Sequence, residues 1–244
     1  MGPQKIASAR QNKTIFAYFC FAKVQLFFDM AEKIKNIIFD LGGVILDIDM
    51  TITLHELKRK GIDGEALMHD PRFIETDAKF ERGIISAQTF RKQVKQLAGL
   101  EHLSDSDFDF IWNSMLLDIP RERIQAMEQI KEHYNIFLMS NTNEIHYDLY
   151  VRDLQLRFGY KQFDDLFDKS YFSFDVHLLK PDPLFFEYIL EHQGLKPQET
   201  LFIDDSKVNV QAAQQLGMHT YLIRHDELVR NLFENGILKK NILD

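Results

Sequence analysis

One cysteine, Cys20, stands among 244 residues. That excludes an internal disulfide framework and a thiolate metal cage, and it makes a reducing cytoplasm the default compartment. Basic charge is also short. Lys and Arg number 29 against 37 Asp and Glu, a net charge of −8. Such a balance argues against a nucleic-acid partner, which calls for a basic patch or stripe. It leaves room for a small anionic substrate, because a few local cations or a metal can dominate a cleft. No apolar run reaches the roughly 20 residues of a membrane span, so no stable membrane association is expected. Internal repeats, low-complexity tracts, Pro/Gly-rich linkers and histidine clusters are absent as well.

Residues 1–32 differ from the rest. Lys5, Arg10 and Lys13 lead into the apolar run Ile15 to Ala22, which Lys23 interrupts. This resembles a weak signal segment with a basic lead, but no small-x-small cleavage site follows. Met30 stands just ahead of the first strand. The segment reads as an N-terminal extension or an upstream start, with secretion as the alternative. The fold is expected to begin near Lys33.

Ile37-Ile38-Phe39 is a strand-forming run that ends on Asp40, followed at once by Leu41-Gly42-Gly43. After it, residues 51–118 show helical spacing without a buried strand. Thr51 to Lys60, Glu75 to Phe80, Ala87 to Leu97 and Ser104 to Leu116 fit helices, with Ser86 and Ser104 as N-caps. Glu81 to Ser86 reads as a turn. From Pro120 the chain alternates. Strands at Asn135 to Met139, Lys169 to Ser173, Thr200 to Ile203 and His219 to Ile223 are separated by helices. A last helix is expected over Asp226 to Phe233. Alternation of this kind means right-handed crossovers and a mostly parallel, doubly wound α/β sheet. The expected organisation is therefore an α/β core of residues 33–50 and 119–244, with residues 51–118 inserted as a helical cap.

Three of these strands end in polar groups: Asp40, Ser140-Asn141-Thr142 and Asp204-Asp205. Lys180 precedes another helix. Strand ends of a parallel sheet point one way and can converge on one crevice. Carboxylates without histidines favour a hard cation such as Mg²⁺. A metal, a lysine and strand-end donors suit a phosphoryl group.

In order and context these motifs resemble the haloacid-dehalogenase-like hydrolase superfamily, subfamily I. Phe39 to Val44 is similar to its first motif, Leu138 to Thr142 to its second, Lys180-Pro181-Asp182 to its third and Ile203-Asp204-Asp205 to its fourth. Asp-Leu-Gly, Ser-Asn-Thr-Asn-x-x-His through His146, and a Glu-Arg-Gly turn look most like the bacterial phosphatase branch that includes α-D-glucose-1-phosphate phosphatase. The resemblance implies a Rossmann-like core and a Mg²⁺-dependent phosphomonoesterase acting on a small phosphorylated metabolite. Asp40 would be the nucleophile that forms an aspartyl-phosphate. Asp40, the carbonyl of Gly42, and Asp204 or Asp205 would hold Mg²⁺. Ser140, the N–H of Asn141, Gly42, Gly43 and Lys180 would grip the phosphoryl oxygens, and Lys180 would also keep Asp40 ionised.

Two positions depart from the pattern. Most phosphatases of the superfamily carry a second Asp two residues after the nucleophile, where this chain has Gly42. Asp47, Asp49 and Glu81 are the substitute candidates, with Arg82 beside Glu81 as a substrate contact. Asp49 also reads as a helix cap, Glu81 and Arg82 as a solvated pair, and His146 as a helix brace. His177 stands where relatives usually have glycine. Two other functions stay open at this stage: a metal-independent haloacid dehalogenase, and a non-catalytic phosphometabolite-binding protein.

Overall fold

The computed structural model describes residues 34–224, 227–240 and 242–243. The expected N-terminal extension, and Asp226 at the start of the expected last helix, lie outside the described residues. Five parallel strands form the sheet: β1 (Asn36–Phe39), β2 (Asn135–Ser140), β3 (Lys169–Phe172), β4 (Thr200–Asp204) and β5 (His219–Leu222). Their order is β3-β2-β1-β4-β5, which places β1 at the centre.

The pleat divides the side chains between two layers. Ile37, Phe39, Ile136, Leu138, Leu201 and Ile203 enter one core, and Ile38, Phe137, Met139 and Phe202 enter the other. This is the period-2 alternation of a strand buried on both faces. Helices α6 (Arg121–Lys131) and α7 (Glu144–Phe158) cover the first layer. Helices α9 (Pro183–Gln193) and α10 (Lys207–Gln215) cover the second. Asp182 caps α9 by accepting from Leu184 N at 3.0 Å, with Pro183 at the first helical position. Between β3 and α9 lies a single short turn of helix, α8 (Ser173–Val176).

The inserted segment contains α1 (Met50–Arg59), α2 (Gly64–Met68), α3 (Pro71–Glu81), α4 (Ala87–Ala98) and α5 (Asp105–Asn113). It has its own apolar cluster, in which Phe80 stacks on Phe90 at 4.2 Å. Ser86 and Ser104 cap α4 and α5 as expected, and Asp49 caps α1. Its entry and exit segments run side by side. Asp47 N donates to Asp118 O and Asp49 N to Met115 O, each at 2.8 Å.

The C-terminal segment differs from expectation. Instead of a helix through Phe233, Val229–Leu232 makes one 3₁₀ turn, followed by a hairpin of β6 (Phe233–Glu234) and β7 (Ile237–Leu238). Asn235 and Gly236 turn it with φ of 51° and 78°, the Asn-Gly signature of a tight hairpin. Gly236 is also required by contact, since a Cβ there would stand 2.3 Å from Gln129 O on α6. Val229, Leu232, Phe233 and Leu238 then close the first core layer.

Candidate active site

Asp40 is the first residue past β1, 8% exposed, and its N–H donates to Ile203 O at 2.9 Å. Lys180 arrives from the loop before α9. Its Nζ donates to Asp40 Oδ1 at 2.5 Å, Asp204 Oδ2 at 2.8 Å and Met139 O at 3.0 Å. An ammonium has three protons, and here each finds an acceptor. The loop is held from the side by Asn141, whose amide donates to Lys180 O and accepts from Lys180 N, both at 2.8 Å. The Asn141 side chain is therefore committed to positioning Lys180. Only its main chain faces the phosphoryl role expected of it.

The two acidic residues at the end of β4 divide the work. Asp204 is fully buried, and its oxygens also accept from Ser206 N at 2.7 Å and from Asn209 Nδ2 at 3.1 Å. Asp205 is exposed and leans over Gly43. A Cβ at Gly43, where φ is +72°, would lie 2.3 Å from Asp205 Oδ2. The glycine thus makes the space that the carboxylate occupies. Asp40, Asp204 and Asp205 each present an oxygen within 4.8 Å of the others, an all-carboxylate donor set suited to a hard divalent cation.

Burial pushes Asp40 up to about 7, and Asp204 adds to the rise, against the pull of Lys180. Lys180 opposes the rise both through its charge and through its hydrogen bond, and desolvation is the larger effect. Burial also works against the Lys180 charge, but Asp40 and Asp204 together outweigh it and hold the ammonium above its ordinary range.

Beyond Asp40 a cavity of about 150 Å³ separates the strand ends from the inserted helices. Gly42, Ser140 and Asn141 form its floor, and Ile48, Met50, Trp112 and Leu116 form apolar walls. Asp77 and Glu81 of α3 reach into it. Glu81, expected at a turn, is the last residue of α3. Burial raises it to about 8, with Asp77 adding to the rise and Arg82 and Lys180 opposing it. Burial alone lifts Asp77 to about 6. Ser140 ends β2, buried beside this space. Thr142 behind it is fixed by Ser173 Oγ at 2.9 Å and by Tyr150 OH at 2.9 Å.

Other candidates are placed elsewhere. Asp47 accepts from Arg123 Nη2 at 2.6 Å, while Arg123 Nη1 donates to Ile45 O at 3.0 Å. This ties the loop after β1 to α6. Asp49 accepts from Thr51 N at 2.9 Å as the cap of α1. Arg82 contributes its main chain: its carbonyl accepts from His177 Nδ1 at 2.7 Å. His146, held neutral by burial that pushes it down to about 3, bridges α7 to the insertion through Asn113 Oδ1 at 2.7 Å and a parallel stack on Trp112.

Sequence reasoning did not find Asp77, Asn209 or the bond made by His177. For Asp77 the signal was present: it lies four residues before Glu81, on the same helical face.

The family model for haloacid dehalogenase-like hydrolases matches residues 34–217. D-Ribitol-5-phosphate phosphatase of Bacteroides thetaiotaomicron is 29% identical over 189 residues, covering 77% of this chain and 91% of the relative. A sesquiterpene phosphatase of Aspergillus oryzae is 28% identical over 202 residues, covering 78% and 89%. A HAD family enzyme from B. thetaiotaomicron, solved in complex with magnesium and inorganic phosphate, superposes with a TM-score of 0.74 at 34% identity. It covers 82% of this chain and 100% of that one. The L-2-haloacid dehalogenase of Xanthobacter autotrophicus, at 17% identity and a TM-score of 0.53 over 78% and 77% of the two chains, shares the fold alone. The chain belongs to the haloacid dehalogenase-like hydrolase family, in its phosphatase branch.

Proposed function

We propose that this chain is a Mg²⁺-dependent phosphomonoesterase that passes the phosphoryl group through Asp40. The carrying observation is the Asp40–Lys180–Asp204 array at the joined ends of β1 and β4, with Asp205 beside it. Asp40 attacks phosphorus, forming an aspartyl-phosphate and releasing the alcohol. Water then attacks phosphorus and restores Asp40. Ser140 and the Asn141 N–H hold the phosphoryl oxygens in line, and the Lys180 ammonium, its protons engaged by Asp40, Asp204 and Met139, contributes charge, since phosphoryl transfer depends mainly on positioning and charge. Asp40, Asp205 and the Gly42 carbonyl are the residues that would hold Mg²⁺. Asp204 stands behind them, because its oxygens already serve Lys180, Asn209 and Ser206. Bound there, the ion supplies charge neutralisation at the phosphoryl oxygens.

The cavity supports a substrate class. About 150 Å³ is well below the ~300 Å³ at which drug-sized ligand pockets begin. Two carboxyl groups on one wall offer partners for hydroxyls. A small sugar or polyol phosphate fits both features, and the ribitol-phosphate relative supports it. The helical insertion acts as the cap, excluding water during attack, and the paired segments at Asp47–Asp49 and Met115–Asp118 serve as its hinge.

The test is hydrolysis of an aryl phosphate with and without Mg²⁺ by wild type and Asp40→Asn. The expected result is Mg²⁺-dependent turnover in wild type alone. Equal turnover in both proteins would overturn the assignment.

A further inference from the structure

Gly42 brings no side chain to the leaving group, so the loop after β1 offers no proton donor there. The inserted helices do. Asp77 and Glu81 are four residues apart on α3, hence on one face, and both line the cavity shared with Gly42 and Ser140. Asp77 Oδ1 is buried without a hydrogen-bond partner. A buried carboxyl oxygen left unpaired is costly, so its retention at a substrate cavity calls for an explanation. Glu81 lies one helical turn further along α3, within reach of the field of Lys180.

The end of α3 is also held firmly. At Gly83 the chain passes so close to Phe174 that a Cβ would stand 2.1 Å from its carbonyl oxygen. One residue before, the Arg82 carbonyl accepts from His177. His177 has φ +62°, a conformation costly to a side chain with a Cβ, and its bond to the cap offsets that cost. The loop that delivers Lys180 and the turn that follows Glu81 are therefore joined.

Resting on the phosphomonoesterase reading above, we propose that Glu81 is the general acid for the leaving alcohol. As Asp40 bonds to phosphorus, the bond from phosphorus to the ester oxygen breaks. Its electron pair takes the proton of Glu81, and the alcohol departs neutral. Glu81, now a carboxylate, takes a proton from the water that attacks phosphorus of the Asp40 adduct. Phosphate leaves, Asp40 recovers its carboxylate and Glu81 its proton. Burial keeps Glu81 up to about 8 and so protonated at neutral pH. The charged or titratable groups facing it are Asp77 and Arg82 from the insertion and Lys180 from the core, with His146 held neutral nearby.

The experiment compares kcat/KM for an alkyl phosphate and for p-nitrophenyl phosphate, with Mg²⁺, in wild type and Glu81→Gln. Only the alkyl ester has a leaving group that needs protonation. The expected loss is about 10²-fold for the alkyl ester, with a change of about threefold or less for the aryl ester, which also reports that the variant is folded. Equal losses on both esters, or none on either, would overturn the role of Glu81. Should the variant fail to fold, the wild-type dependence of kcat/KM on leaving-group pKa decides. A shallow slope supports proton donation, and a steep one overturns it. Wild type inert toward both esters would instead overturn the phosphatase reading, and this inference with it.

Discussion

His177 Nδ1 lies 2.7 Å from the carbonyl of Arg82, tying the Lys180 loop to the end of α3. The bond carries a backbone strain with it, and the two separate by substitution. His177→Ala keeps the left-handed conformation and loses the bond, whereas His177→Gly loses the bond but relieves the strain. Denaturant midpoints should place the glycine variant about 1 kcal/mol above the alanine variant. Both should lose kcat/KM on alkyl phosphates, because both release the turn after Glu81.

The two glycines after Asp40 should respond in opposite ways. Gly43→Ala drives a Cβ into Asp205 at a left-handed residue. It should weaken Mg²⁺ binding by about tenfold or more and cost about 1–2 kcal/mol in thermal unfolding. At Gly42 a Cβ meets only the Ile48 side chain, at 3.4 Å. Gly42→Asp in the Glu81→Gln background should restore alkyl-phosphate hydrolysis, measured as kcat/KM, by supplying a carboxyl to the same cavity from the loop after β1.

Glu81 also sets a pH dependence. Its folded pKa of about 8 exceeds the ordinary glutamate value of 4.5, so between these limits the native state binds more protons than the unfolded one. Stability therefore falls as pH rises from about 5 to 8. Unfolding curves of Glu81→Gln should lose this component. In the alkyl-phosphate profile of kcat/KM, the descending limb near pH 8 should disappear in the same variant.

Asp47 supplies the contrast. Its carboxylate pairs with Arg123, outside the cavity lining. Asp47→Asn should leave hydrolysis within about twofold of wild type, at a stability cost of about 1 kcal/mol for the weakened, half-exposed pair.

The strands and the convergence on Asp40 were legible because β1, β2 and β4 are buried on both faces and read as apolar runs that stop at polar residues. Ser86 and Ser104 were legible as caps because the first turn of a helix needs a side-chain acceptor. What escaped notice depends on contacts between distant segments. That Asp204 is committed to Lys180 and Asn209 while Asp205 lies exposed rests on pairings that no local pattern shows. Carboxylates four apart on a helix, such as Asp77 and Glu81, ordinarily face water. Only the packing of α3 over the strand ends turns them inward. The C-terminal hairpin was missed although Asn235-Gly236 is a direct turn signal, because the apolar spacing from Val229 to Phe233 also fits a helix.

The central claim is that phosphate passes through Asp40. Wild type turning over a ³²P-labelled phosphate ester with Mg²⁺, quenched in acid and mapped by peptide mass spectrometry, tests it most directly. The account predicts an acid-stable, hydroxylamine-labile label on the peptide containing Asp40, absent from Asp40→Asn. Label on another residue, or turnover persisting in Asp40→Asn, would contradict it.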